Sequence, residues 1–444
     1  MKRFIKLGAI SVALASALYA APAKDNKTAI LSNYADIALV NYSDALSDAK
    51  KLQKAIAEFT KNPTQKNLDN AKNAWLVSRE SYGQTEIFRL ANGPIDAEEG
   101  WVSEKYSALE GQINAWPLDE NMIDYTIDAD GKKTSGNIID TIGKFNPGGE
   151  ESKEVDVTKI TVEAITELNE NGGEANVATG YHAIEFLLWG QDQDYSNFME
   201  DAITKGAKTA GLRPLSDFTT DKFAKRRLEY LNSATTKLVD DLETVTNAWD
   251  KNISKNCEAD SKGCYRGALL GKLQGADAEK NIEANEALRQ IIAGMGVFMK
   301  SELANERIAV AVLTPSEEDE HSCFSDNTHR DIVTNYDGFK NILTGNYKTI
   351  KGANLLDNVD TKTKKEIMDL MVSIEKKIAI VDTTAKTTAH FDYQIRADNA
   401  NSKVIKSLKN EMRNLGDKMV LVAKANGIEL SVEDVTDAEE TKVD

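Results

Sequence analysis

Leu228-Glu-Tyr-Leu-Asn-Ser-Ala-Thr-Thr-Lys-Leu-Val-Asp-Asp-Leu-Glu-Thr-Val-Thr-Asn-Ala-Trp249 decides the fold class. Its large apolar residues Leu228, Leu231, Leu238, Leu242, Val245 and Trp249 fall on three- and four-residue steps, the stripe of an amphipathic helix facing a core. Outward from it, Ile367, Leu370, Ile374, Ile378 and Val381 repeat the pattern. Proline is scarce, seven in all, and Pro63, Pro94, Pro117, Pro147, Pro214 and Pro315 fall between periodic runs. No run alternates like a convincing strand series. The expectation is an all-α protein of long helices, and such helices joined by polar connections build bundles. A break near Gly206 to Pro214 divides the chain into two related bundle-like halves packed together, residues 21–205 and 206–430; one larger bundle is the alternative. Gly131 to Glu154 reads as a long surface loop, and residues 431–444 as a disordered acidic tail.

The first residues bear on compartment. Met1-Lys2-Arg3 and Lys6 form a basic start, Leu7 to Leu18 an apolar Ala-rich run, and Ala20 to Ala23 a small-residue exit. That is the layout of a secretory signal peptide over residues 1–20, with an apolar run too short to span a bilayer. The expectation is an exported, periplasmic protein, free there or attached to the outer membrane, without a transmembrane segment.

The formal net charge is −17, and loss of Lys2, Arg3 and Lys6 takes it to about −20. This excess of negative charge argues against nucleic acid and anionic lipid as partners. Three cysteines are present. Cys257 and Cys264 bracket a short polar loop and read as a disulfide in an oxidising compartment, leaving Cys323 over.

Histidine is the informative residue, with only four: His182, His321, His329 and His390. In Gly180-Tyr-His-Ala-Ile-Glu-Phe-Leu-Leu-Trp189, His182 and Glu185 lie three apart and share one helical face, where an imidazole and a carboxylate can share a cation. The competing reading is a His–Glu hydrogen bond that only holds helices together. Glu317 to Asp331 concentrates Glu320, His321, Cys323, Ser325, Asp326 and His329, with Ser325 or Asp326 placed to cap the next helix. A capped acidic loop without ligand is its competing reading. Trp75, Arg79, Tyr82, Glu86 and Arg89 also share a helical face, which Gly93-Pro-Ile-Asp96 ends, and suit an internal polar network.

Gly180-Tyr-His182-Ala-Ile-Glu185 resembles the Gly-x-His-x-x-Glu motif of imelysin-like proteins. Gly93-Pro-Ile-Asp96, Asn114-Ala-Trp-Pro-Leu-Asp119 and Glu320-His-Ser-Cys-Phe-Ser-Asp-Asn-Thr-His329 resemble the iron-regulated, exported branch of that family, from about Ala35 to Gly427. The resemblance implies an all-helical fold of two halves, a site at their junction, an envelope location and a link to iron uptake. It carries the site onto His182 and Glu185, with Arg79, Glu86, Asp96, Glu320, His321, Asp326 and His329 as neighbours.

The family brings a peptidase label. A zinc peptidase helix needs His-Glu-x-x-His or His-x-x-Glu-His, and Phe186 stands where the second His belongs. The catalytic residues are therefore unassigned. The leading expectation is a protein that binds a metal ion, iron first and zinc second, or an iron-bearing ligand, alongside envelope iron-transport proteins. A metal-dependent peptidase is the runner-up, and a scaffold in which His182 and Glu185 merely join the halves is the third.

Overall fold

The computed structural model describes residues 26–128, 130–192, 210–313 and 320–437. The expected signal peptide, part of the expected break at 206–214, Glu317 and the end of the acidic tail lie outside them. Helices dominate the described residues, which also hold two short antiparallel ribbons, β1 (Lys144–Phe145) with β2 (Val155–Asp156) and β3 (Asn346–Tyr347) with β4 (Ile350–Lys351). The all-α expectation is met.

Helices α1 (Lys27–Lys61), α2 (Gln65–Tyr82), α3 (Gly180–Trp189) and α4 (Ala224–Ala248) pack as a first group. The Thr64 side chain caps α2 by accepting the Asn67 N–H. On α4, Leu231, Leu238, Leu242 and Val245 are fully buried, so the apolar stripe is core. A second group is α5 (Ala284–Val297), which continues as a π-helix over Phe298–Ala309, with α6 (Thr328–Thr344), α7 (Thr361–Thr387) and α8 (Asn401–Asp417). Here α8 packs on both the π-helix and α7, whose Ile367, Ile374 and Val381 face inward.

Packing crosses the position of the expected division near 206. Helix α4 comes after it in sequence yet belongs to the first group. Tyr230 Oη donates to the Ala178 carbonyl at 2.9 Å, and Arg227 Nε donates to Asp124 at 2.7 Å. The buried apolar residues from Ile30 to Val435 form one continuous cluster, and α1 touches α5 as well as α2 and α4.

Three local readings are corrected. The stretch Gly131 to Glu154 is not all surface loop: Ile138 and Ile139 are fully buried, and the Arg226 guanidinium binds the carbonyls of Ile138, Ile139, Thr141 and Val157. Buried carbonyls need donors, and one guanidinium supplies several. The tail is packed as far as Asp437, since Val435 is fully buried and Asp434 pairs with Arg289 at 3.0 Å. The face from Trp75 to Arg89 is not one α-helix. It ends at Tyr82 and tightens into a 3₁₀ turn over Gly83–Phe88.

That turn is where the two groups meet. A Cβ on Gly83 would sit 2.1 Å from Thr334 Oγ1, so only glycine permits α6 to cross this closely. The crossing sets Arg79 and Glu86 against Asp331 and Asn335.

Candidate metal site

Helix α3 begins at Gly180, whose φ of +81° lies in the left-handed region. A Cβ there would come within 2.5 Å of the Ile113 carbonyl oxygen. The glycine thus lets the start of α3 lie directly on the chain that carries Asn114 and Trp116. Two residues on, His182 is fully buried, as is Glu185. His182 Nδ1 and Glu185 Oε2 are 3.0 Å apart. The i, i+3 spacing read from the sequence produces this contact directly.

Both oxygens of Glu185 have hydrogen-bond partners. Its Oε1 accepts from the Ser325 N–H at 3.0 Å and from the Ser325 hydroxyl at 2.6 Å. The expected oxygen ligand also orients the imidazole. His182 Nε2 is buried and makes no hydrogen bond. Burial, with His321 beside it, holds His182 well below the ordinary imidazole range, so the ring is neutral. Burial also pushes Glu185 up to about 8, against the hydrogen bonds from Ser325.

His321 provides a second imidazole of the same design. Its Nδ1 lies 2.9 Å from Asp331 Oδ2. Burial and Arg307 hold its pKa down, with Asp331 pulling the other way. Burial alone would raise Asp331, but Arg79, His321 and Ser322 hold it far below the usual carboxylate range. An ionised Asp331 makes His321 Nδ1 the donor and leaves Nε2 with its lone pair. The two rings meet edge to face, centroids 4.7 Å apart, and Trp116 packs on His182 at 4.9 Å.

Behind the imidazoles runs a chain of alternating charges. Arg79 donates to Asp331 at 3.0 Å and to Asn114, and lies 3.8 Å from Glu86. Glu86 pairs with Arg307, Arg307 with Glu302 at 2.9 Å, and Glu302 with Arg89 at 2.9 Å. Burial would raise Glu302, but Arg89 and Arg307 hold it down at about 2. Each buried charge is paired, as burial requires. The π-helix supplies both Glu302 and Arg307, and π-helical turns are frequent at functional sites. A cavity of about 500 Å³ opens in front, lined by Trp116, His321, Glu302 and Arg307 among others.

The structure thus brings together His182, Glu185, Arg79, Glu86 and His321. It places the other named residues elsewhere. Asp96 accepts the Leu90 N–H and holds a turn. His329 contacts the Asp326 carbonyl at 3.0 Å and Asp382 at 3.8 Å. Glu320 and Asp326 gather with Asp392, ligand atoms all within 4.8 Å, in a group that His182 and Glu185 do not join. The expected cap does not form: α6 starts from Asn327 without a side-chain cap, because Ser325 serves Glu185 and Asp326 pairs with His390. Cys257 and Cys264 are disulfide-bonded and Cys323 is a buried thiol that burial pushes up, out of nucleophilic range. Sequence reasoning missed Asp331, Asn114, Trp116, Glu302 and Arg307 as site residues. Asp331 ends the His-rich segment, and Asn114 and Trp116 lie in the Asn-Ala-Trp-Pro motif, so a signal existed for these three.

Residues 38–419 match the family model described as Peptidase_M75, imelysin. Over 83 residues the chain is 31% identical to the iron-regulated protein A of Synechococcus elongatus. That stretch covers 19% of this chain and 20% of that protein, so the match spans about a fifth of the curated relative. The fold is similar to a crystal structure from Parabacteroides distasonis, given provisionally as an iron-regulated protein A precursor. There the TM-score is 0.61 at 18% identity, over 92% of this chain and 97% of the other. At that identity the likeness speaks for the fold.

Proposed function

The chain belongs to the imelysin family, and from that premise we propose that it binds a metal ion, iron before zinc, or an iron-bearing ligand, and takes part in iron uptake in the envelope. The observation that carries the reading is the pair of imidazoles. Each has Nδ1 held by a carboxyl group, and His182 Nε2 is buried without a partner. Metal-ligating histidines are held this way, with a carboxylate on the other ring nitrogen fixing tautomer and orientation. His182 and His321 would supply two nitrogens, which suit Fe or Zn over oxygen-seeking cations. Among the described residues no third His, Cys, Asp or Glu joins them at ligand spacing. The remaining positions fall to water or to groups the ligand brings into the cavity. The metal, when bound, supplies Lewis acidity; the chain holds the rings and excludes water on the His182 side.

The iron assignment and the exported location draw support from the names of the two relatives and from the signal-like first residues. No described helix is long and apolar enough to cross a membrane. On this reading the protein works in the periplasm, free or held at the outer membrane, beside envelope iron-transport proteins and away from nucleic acid. A metal-dependent peptidase is the second reading, carried by the family label. It requires three protein ligands around an open metal position, and the two imidazoles fall one short.

Elemental analysis of protein taken from its own envelope, beside His182→Ala, tests both. Stoichiometric iron lost in the variant is the expected result. A wild type that carries no metal and takes none up in titration sinks the metal-binding reading. Chelator-sensitive peptide cleavage by the zinc-loaded protein would replace it with the second.

A further inference from the structure

The 500 Å³ cavity differs from its surroundings in how its charges are paired. Its basic lining residues other than His321 are Arg89 and Arg307, and both are already committed. Arg89 lies 2.9 Å from Glu302 and 3.5 Å from Glu110, and Arg307 lies 2.9 Å from Glu302. The cavity's other carboxylates, Glu170, Glu174 and Glu306, make no ion pair among the described residues and are exposed. A second cavity of about 630 Å³ shares Arg89, Glu110 and Glu170 with the first. It adds Asp96, Glu98 and Glu99, again without an ion pair among the described residues. Burial raises Glu110, and Glu302, Glu86 and Asp96 add to the rise against the pull of Arg89. The approach to His321 is therefore a continuous surface rich in carboxyl groups outside any ion pair, with no unpaired arginine or lysine among the described residues. At its inner end His321 is 6% exposed, with Nδ1 held by Asp331.

We propose that this acidic approach selects the ligand of the imidazole site as a multivalent cation that arrives with its water shell and without an anionic chelator. The inference rests on the metal-binding reading above and narrows it. A cleft lined by one sign of charge focuses the field and concentrates the counter-ion at its mouth. An anionic chelate of the same metal meets unpaired carboxylates and finds no free cation to receive it. The volume matches this ligand. A water occupies about 30 Å³ of liquid, so the cavity holds a cation with its first shell and leaves room for exchange of water for imidazole. Glu170, Glu174 and Glu306 then act in capture, and His182 and His321 in ligation.

The test uses the full-length protein with Co²⁺, whose visible bands report imidazole ligation, and with iron(III) citrate as the anionic chelate. The rim variant carries Glu170→Gln, Glu174→Gln and Glu306→Gln, three exposed side chains outside the ligating pair. Its apparent Co²⁺ affinity should fall about tenfold at low salt and lose most of its salt dependence, with unchanged bands at saturation. Equal Co²⁺ affinity in rim variant and wild type overturns the inference. So does tighter binding of iron(III) citrate than of Co²⁺ by the wild type, strengthened further in the rim variant; the metal-binding reading survives both of those results. Co²⁺ bands that persist in His182→Ala/His321→Ala remove the underlying reading, and this one with it.

Discussion

His182 and His321 meet edge to face with ring centroids 4.7 Å apart, although one stands on a helix of the first group and the other on the loop leading into α6. Each is held by a carboxylate of its own segment, Glu185 and Asp331. The pair is thus assembled from two separate segments of the chain.

On the metal-binding reading the two imidazoles are equal contributors. His321→Ala should lose bound metal as completely as His182→Ala, and the double variant should lose no more than either, because neighbours acting as a unit are not additive. Metal content by elemental analysis and titration calorimetry are the measurements. Full stoichiometry in His321→Ala would show that the second ring is not a ligand.

Asp331 holds the junction together, accepting from Arg79, His321 and Ser322 while fully buried. Asp331→Ala leaves Arg79 with Glu86, 3.8 Å away, as its carboxylate partner. Removing one partner of a buried pair costs about 3–5 kcal/mol, readable as a lower urea midpoint. Asp331→Asn keeps an acceptor and should cost less. A loss below about 1 kcal/mol in the alanine variant, the scale of a surface pair, would mean that the network relaxes freely.

Gly180 carries both a φ of +81° and a backbone contact that a Cβ would violate. Gly180→Ala should destabilise by about 1–3 kcal/mol from the strained dihedral alone, and by more from the clash with Ile113. Because His182 follows two residues later, metal affinity should fall as well. Thermal melting with and without metal separates the two effects. An unchanged melting temperature would deny the glycine this role.

Acid stability should depend on Asp124. Burial would raise this carboxyl, but Arg213 and the hydrogen bonds from Arg227 hold it below its ordinary 3.8. A folded-state pKa below the unfolded one contributes stability above 3.8, and that contribution is lost as the pH falls from there through the folded value. Asp124→Asn should therefore be less stable than wild type at pH 7, with the gap closing below about pH 4 as the wild-type carboxyl also becomes neutral. Denaturant melts across this range provide the check, and a gap that stays constant with pH would refute it.

What the sequence alone determined is the local part. The stripe from Leu228 to Trp249 forms α4 with that face buried, because helical periodicity depends only on neighbours along the chain. The contact between His182 and Glu185 follows from a three-residue step for the same reason. Packing decided the rest. Helix α4 joined the first group across the expected break, since its partners Asp124 and Ala178 lie far back in the chain. Ser325, read as a cap, turned its N–H and hydroxyl to Glu185 and fixed that carboxyl beside His182. His321 came to His182 and left His329 behind at Asp382, a choice that residue type and spacing do not encode. It depends on α6 crossing the turn at Gly83, a contact set by which surfaces of two distant segments fit closely enough to exclude water.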